Sequence, residues 1–271
     1  MPERIRPSFI NPPVSEVACG IYFQTLALMQ APHMGLFWER IREEFPRCHS
    51  VQPLAMPIDD DGQFIASLQI GNVPPLPRVW LMNTSNTSFV QVQADCIFYN
   101  WKSGSANEPY PRYPEVVTNF KRLYEVFTQF LQDERLGTVV PLQLEMAYVN
   151  NVNVSTHWRG NSEIGKVFRD FQWNRAGERY LPTPTGLHWR ARFEMDLGRL
   201  DLAVQSGRRS DQPDGSDMLR FDLTARGPVP DISADTDPIW HWFDRANEWI
   251  VDGFIDLTQP DFQNDVWGRT T

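Results

Sequence analysis

SFVQVQADCIFYNWK, residues 88–102, decides how the rest of the chain is read. Val90, Val92, Ala94, Cys96 and Phe98 alternate with Gln91, Gln93 and Asp95. Successive side chains of an extended chain point to opposite sides, so this period of two predicts a β-strand with one buried and one polar face. LRFDLTAR, residues 219–226, repeats the design, with Leu219, Phe221, Leu223 and Ala225 on one side and Arg220, Asp222, Thr224 and Arg226 on the other. Strands with one apolar face belong to antiparallel sheets covered on one side.

The flanking sequence places these strands in a recurring order. Residues 17–26 (VACGIYFQTL) predict an opening strand. A helix follows over 34–45, where Met34, Phe37, Trp38, Ile41 and Phe45 recur every three or four positions before Pro46. Residues 63–70 alternate as a strand, and NVPPLP at 72–77 reads as a turn or edge crossing, because Pro cannot join a central ladder. Residues 78–82 pair with the 88–102 stretch through turn chemistry at 83–87. After a loop at 104–114, a long helix over 115–134 carries Val116, Val117, Phe120, Leu123, Tyr124, Phe127, Phe130 and Leu131 on one face, and Gly137 stops it.

The second half runs in the same order. Strands are predicted at 142–149, 187–195, 199–205 and 219–226, with a helix over 163–171 after the first of them. A last long helix over 237–257, capped by Asp237 before Pro238, presents Ile239, Trp242, Phe243, Ala246, Trp249, Ile250, Phe254 and Leu257. The expected architecture is α+β. Internally duplicated strand, helix, strands and long-helix units, residues 15–135 and 141–258, form one curved antiparallel sheet with the helices on one face, and 259–271 are a C-terminal tail. This order resembles the duplicated helix-grip topology of the TATA-binding-protein-like fold, a likeness that carries no function with it.

Composition narrows the function classes. With 271 residues, 41% of them hydrophobic, the chain can bury a real core as a single module. The net charge of −9 disfavours bulk binding to nucleic acid or to an anionic membrane. Cys19, Cys48 and Cys96 are odd in number and far apart, so they read as reduced thiols of a cytoplasmic protein and not as a disulfide frame. No apolar leader or run of membrane-spanning length occurs in the sequence.

Scattered words in the chain add a likeness. They are Arg78-x-Trp80, Val90-Gln91-Val92-Gln93-x-Asp95, Asn100-Trp101-Lys102, Tyr110-Pro111-Arg112-Tyr113, Glu145 and Asn150 in LEMAYVN, Leu223-Thr224-Ala225-Arg226-Gly227, Glu248-Trp249-Ile250-Val251 and Trp267-Gly268-Arg269. Together they resemble a sporadically distributed family of uncharacterised bacterial proteins of about 270 residues, over almost the whole chain. The family pattern has a basic residue where Cys96 stands and a His where Asn247 stands. The resemblance implies a bacterial, cytoplasmic module, and the family's sporadic distribution implies an accessory or immunity component of a mobile bacterial system.

The sequence holds no Gly-rich phosphate loop, no CxxC, no HExxH and no GxSxG. Cys48-His49 reads as an ordinary loop, and Asp59-Asp60-Asp61-Gly62 as a solvated turn lacking the later ligands of a calcium loop. No metal, cofactor or catalytic residue is assigned. The candidate surface is the polar sheet face, where alternation gathers Gln91, Gln93, Asp95, Gln143, Glu145, His188, Arg190, Arg192, Glu194, Arg220 and Asp222. Such a face is ordinarily a solvated array of ion pairs. Its functional alternative is an arginine cluster for an anionic ligand, with Gln91, Gln93, Asp95, Glu145, His188, Arg190, Arg192, Arg220 and Asp222 as the contacting residues. The expected function is that of a non-catalytic interaction protein whose partner is another protein or a small anion, with a homo-oligomer also compatible. A small-anion or nucleotide-binding module, or a hydrolase using the Asp95 and Glu145 carboxylates, are the alternatives.

Overall fold

A computed structural model describes residues 6–57, 76–104, 110–172, 180–208, 217–231 and 237–270. The elements in chain order are β1 (Ser8–Phe9), β2 (Val14–Phe23), α1 (Ala31–Ile41), β3 (Arg47–Val51), β4 (Arg78–Met82), β5 (Ser88–Gln93), β6 (Cys96–Lys102), α2 (Arg112–Asp133) and β7 (Pro141–Asn153). A 3-10 helix (Asn161–Lys166) follows, then β8 (His188–Met195), β9 (Gly198–Arg208), β10 (Asp217–Gly227), α3 (Pro238–Leu257), α4 (Pro260–Asp265) and β11 (Arg269–Thr270). The fold is α+β, with nine strands in one antiparallel sheet of order β3-β4-β5-β6-β2-β7-β10-β9-β8. The expected strand at 63–70 and the Asp59-Asp60-Asp61-Gly62 turn lie outside the described residues, as does most of the 72–77 turn.

The chain divides into two compact units, Ala18–Glu145 and Met1–Val17 with Met146–Thr271. In the first, hereafter the central unit, the side of β2 that carries Phe23 receives both helices. Phe37 of α1 and Phe127 and Phe130 of α2 meet there, with Phe37 edge-on to Phe127 at 5.3 Å and Phe23 5.9 Å from Phe127. All four rings are fully buried. Helix α1 begins with a reciprocal cap between Gln30 and His33, and the Gln30 amide donates to His33 Nδ1 at 3.0 Å.

In the second, hereafter the terminal unit, α3 lies on the apolar side of β9 and β10. Phe254 stacks on Phe221 at 5.9 Å, and Trp242 is edge-on to Trp249 at 6.3 Å. Asp237 caps the helix by accepting from the Ile239 amide at 3.1 Å. Tyr148 of β7 donates to Asn247 of α3 at 3.0 Å. Residues 259–271, read as a tail, instead supply α4 and β11. Trp267 packs against both Phe254 and Phe262, and β11 pairs with β1.

Three local expectations are corrected. The 88–102 stretch is a hairpin and not one strand: β5 and β6 pair so that Gln93 faces Cys96 and Gln91 faces Phe98. Directly opposed residues share a sheet face, so Cys96 and Phe98 stand on the glutamine side. The helix expected over 163–171 is only the 3-10 turn. Beyond it the Arg169 amide donates to the Leu257 carbonyl, the Gln259 amide donates to the Val167 carbonyl, and Phe168 bridges Thr258. These bonds to the end of α3 occupy main-chain groups that a continuing helix would use. Cys48 and His49 lie in strand β3, not in a loop.

Candidate functional site

The polar side of the terminal unit is built row by row across three strands. One row holds His188, Gln205 and Arg220; the next Arg190, Ala203 and Asp222; the third Arg192, Asp201 and Thr224; the fourth Glu194, Arg199 and Arg226. The opposite sides of β9 and β10 carry buried Leu200, Leu202, Val204, Leu219, Phe221, Leu223 and Ala225. Alternation forced by that buried layer is what gathers the arginines. Within these rows stand five arginines and three carboxylates, Glu194, Asp201 and Asp222.

Asp201 is the hub. Arg192 Nε donates to Oδ1 at 2.8 Å, while Arg199 Nε and Arg226 Nη1 donate to Oδ2 at 3.2 and 3.0 Å. Partial burial works to raise the Asp201 pKa, but the guanidinium bonds and charges outweigh it and hold the carboxyl below the ordinary range. Arg220 grips Asp222 with a bidentate contact of 2.9 Å, which raises the guanidinium pKa against the effect of burial; Glu16 adds to the rise. Arg190 and Glu194 are exposed, and their side chains make no hydrogen bond or ion pair among the described residues. His188 is also exposed, at the start of β8.

The glutamine side of the central unit differs from expectation. Gln91 and Gln93 are not on an open face; both are buried, and so is Asn100. Gln91 Oε1 accepts from Arg78 Nη1 and Trp80 Nε1, both at 2.9 Å, while its amide nitrogen donates to Asn100 Oδ1 at 2.6 Å. Gln93 accepts from the Leu54 amide at 2.7 Å and donates to the Leu54 carbonyl at 3.0 Å and to Asp95 Oδ1 at 2.6 Å. The segment carrying Leu54 and Met56 packs on Tyr22, Cys96 and Phe98, so this side is roofed by the chain itself. Gln93 holds that roof through Leu54, while Gln91 ties β4, β5 and β6 together.

Asp95 sits in the turn, and desolvation pushes its carboxyl up despite the Gln93 bond. Its charge, that of Glu145 and that of Arg78 all act on the buried Cys96 thiol, whose pKa is raised mainly by burial. Asp95 and Glu145 both belong to the central unit. Gln143 and Glu145 are both half-buried, and Gln143 Nε2 has no partner among the described residues. Among the described residues, no three His, Cys, Asp or Glu side chains are grouped to hold a metal ion. No described helix is long and apolar enough to cross a membrane.

The expected contacting residues thus fall into two sets. His188, Arg190, Arg192, Arg220 and Asp222 are on the polar side of the terminal unit, while Gln91, Gln93, Asp95 and Glu145 belong to the central unit. Asp201, Arg199 and Arg226 were legible as polar strand positions but not as members of the candidate site. The signal for them lies in the parity of β9 against its two neighbours. No family model, no curated protein and no solved structure matches the chain.

Proposed function

We propose that the chain is a non-catalytic binding protein, and that its working surface is the arginine-bearing side of β8, β9 and β10. The observation that carries this reading is a local reversal of sign. A chain with 25 basic and 34 acidic residues places five arginines against three carboxylates on one regular strand array. A rigid array of guanidinium groups suits the planar, bidentate recognition of carboxylate or phosphate. Arg190, exposed and without an ion pair among the described residues, is the group most ready to engage. The partner is an anionic surface of another protein; the resemblance noted above would make it a component of a mobile bacterial system.

The reading is tested with immobilised acidic peptides and, separately, with inorganic phosphate and nucleotides in a thermal-shift screen. Binding of an acidic peptide should weaken in Arg190→Ala and Arg220→Ala and with rising ionic strength. Stabilisation by phosphate or nucleotide with no peptide binding would shift the reading to a small-anion module. No response to any of these probes, or equal binding by both variants and the parent, would remove the arginine surface as the working end.

A further inference from the structure

Strand β8 lies at the end of the sheet order and, among the described residues, pairs on one side, with β9. An unpaired edge offers a row of backbone donors and acceptors, and natural proteins protect such edges with proline, bulges or short strands. β8 has no proline or bulge and is not short; of the devices that guard edges it carries charged side chains, Arg190, Arg192 and Glu194. Its eight residues, HWRARFEM, run in unbroken register with β9, and Phe193 near the middle is exposed.

The charges along this edge are self-complementary. Arg190, Arg192 and Glu194 share one side, and Ala191, Phe193 and Met195 the other. When a second copy pairs antiparallel with polar side beside polar side, a few registers are available, and most place like charges in opposition. Centring on Arg190, Arg192 or Glu194 sets that residue against its own copy, and centring on Ala191 sets Arg190 against Arg192. Centring on Phe193 instead places Arg192 opposite Glu194 twice, Ala191 opposite Met195 twice, and the two Phe193 rings together. Opposed unlike charges and aromatic pairs stabilise adjacent strands, and opposed like charges destabilise them.

We propose that β8 is a homodimerisation edge, pairing with β8 of a second copy in the register that sets Phe193 against Phe193. The pairing is isologous, as a two-fold dimer requires. It joins the arginine-bearing sides of two copies edge to edge. An eight-residue edge buries less than about 1,000 Å², so the dimer should be weak and concentration-dependent.

Sedimentation equilibrium of the full chain, without any anionic partner, tests the proposal independently of the anion reading. The parent should dimerise, and Phe193→Lys should shift it to monomer. Arg192→Glu sets Glu against Glu twice and Glu194→Arg sets Arg against Arg twice, so each variant alone should dimerise about tenfold or more weakly. Mixed together, these two variants should recover association as a heterodimer, since every opposed pair then becomes unlike. A parent that stays monomeric up to about 1 mM, or variants that dimerise like the parent, would overturn the proposal. So would two folded single variants that fail to associate on mixing, as judged against their circular dichroism.

Discussion

Arg192 on β8 and Arg226 on β10 bind the two different oxygens of one carboxylate, Asp201, on the strand between them. Arg199 adds a third guanidinium from the same strand as Asp201. The carboxylate therefore ties three strands laterally through side chains, in addition to their backbone ladders. Asp201→Ala leaves neighbouring guanidinium groups without this anion, and urea denaturation at neutral pH should show a loss of about 1–3 kcal/mol, the upper end discounted because Arg192 is largely in solvent. Because the folded carboxyl titrates below its unfolded value of about 3.9, its contribution is complete above that pH and is lost as pH falls through the lowered folded value. The gap between parent and Asp201→Ala should accordingly close in acid. A gap that is constant with pH would mean that the carboxylate's charge does not matter.

Asp95 should show the opposite sign. Desolvation favours its neutral form in the folded protein, so its folded pKa lies above the unfolded one. The cost of holding the carboxylate is absent below about 3.9 and is felt in full once the pH has risen through the raised folded value. Asp95→Asn keeps an oxygen to accept from Gln93 Nε2 and removes that cost. The variant should match the parent near pH 3 to 4 and exceed its stability at neutral pH. Denaturation curves at both pH values decide the point, and a variant weaker than the parent at neutral pH would sink it.

How far the fold could be read from residues is clearest at the pairing of Gln93 with Cys96. Alternation through 88–102 identifies extended chain, but it assigns faces only if the chain does not turn. The reversal at Ala94-Asp95 carries neither Gly nor Pro to announce it. Every residue beyond it consequently changes side, and the glutamine side acquires Cys96 and Phe98. In β8, β9 and β10 no hidden turn intervenes within a strand, and the arginine rows fall where alternation places them. Strand β3 was invisible for another reason: Arg47, Cys48, His49 and Ser50 are all exposed, so it has no apolar period to detect. The roof formed by Leu54 and Met56 has no periodic signature either, so alternation alone gives no sign that Gln93 is covered.

Trp249 separates packing from polar satisfaction. Its ring is buried and edge-on to Trp242, while its Nε1 has no hydrogen-bond partner among the described residues. Trp249→Ala removes a large buried ring and should cost about 3–5 kcal/mol. Trp249→Phe keeps an aromatic ring and deletes the unpaired donor, so part of its packing loss is offset and it should cost less than about 2 kcal/mol. Calorimetric melting of both variants checks the ordering. Equal losses would mean that the indole N–H is satisfied in solution.

Gly20 and Phe98 fill one space between them. A Cβ on Gly20 would lie 2.0 Å from a ring carbon of Phe98, far inside van der Waals contact. Phe98 is buried and held edge-on by Tyr22 at 5.2 Å, so the ring cannot swing into solvent without losing that packing. Gly20→Ala should cost about 1–3 kcal/mol by overpacking, and Phe98→Ala about 3–5 kcal/mol by leaving a cavity. In the double variant the new methyl meets no ring and occupies part of the cavity. The two losses should then fall short of additivity by at least about 1 kcal/mol, as expected for residues in direct contact. A double-mutant cycle by chemical denaturation measures the coupling. If the losses simply add, Phe98 does not lie over Gly20, and the hairpin parity that places Phe98 on the glutamine side of β6 is wrong.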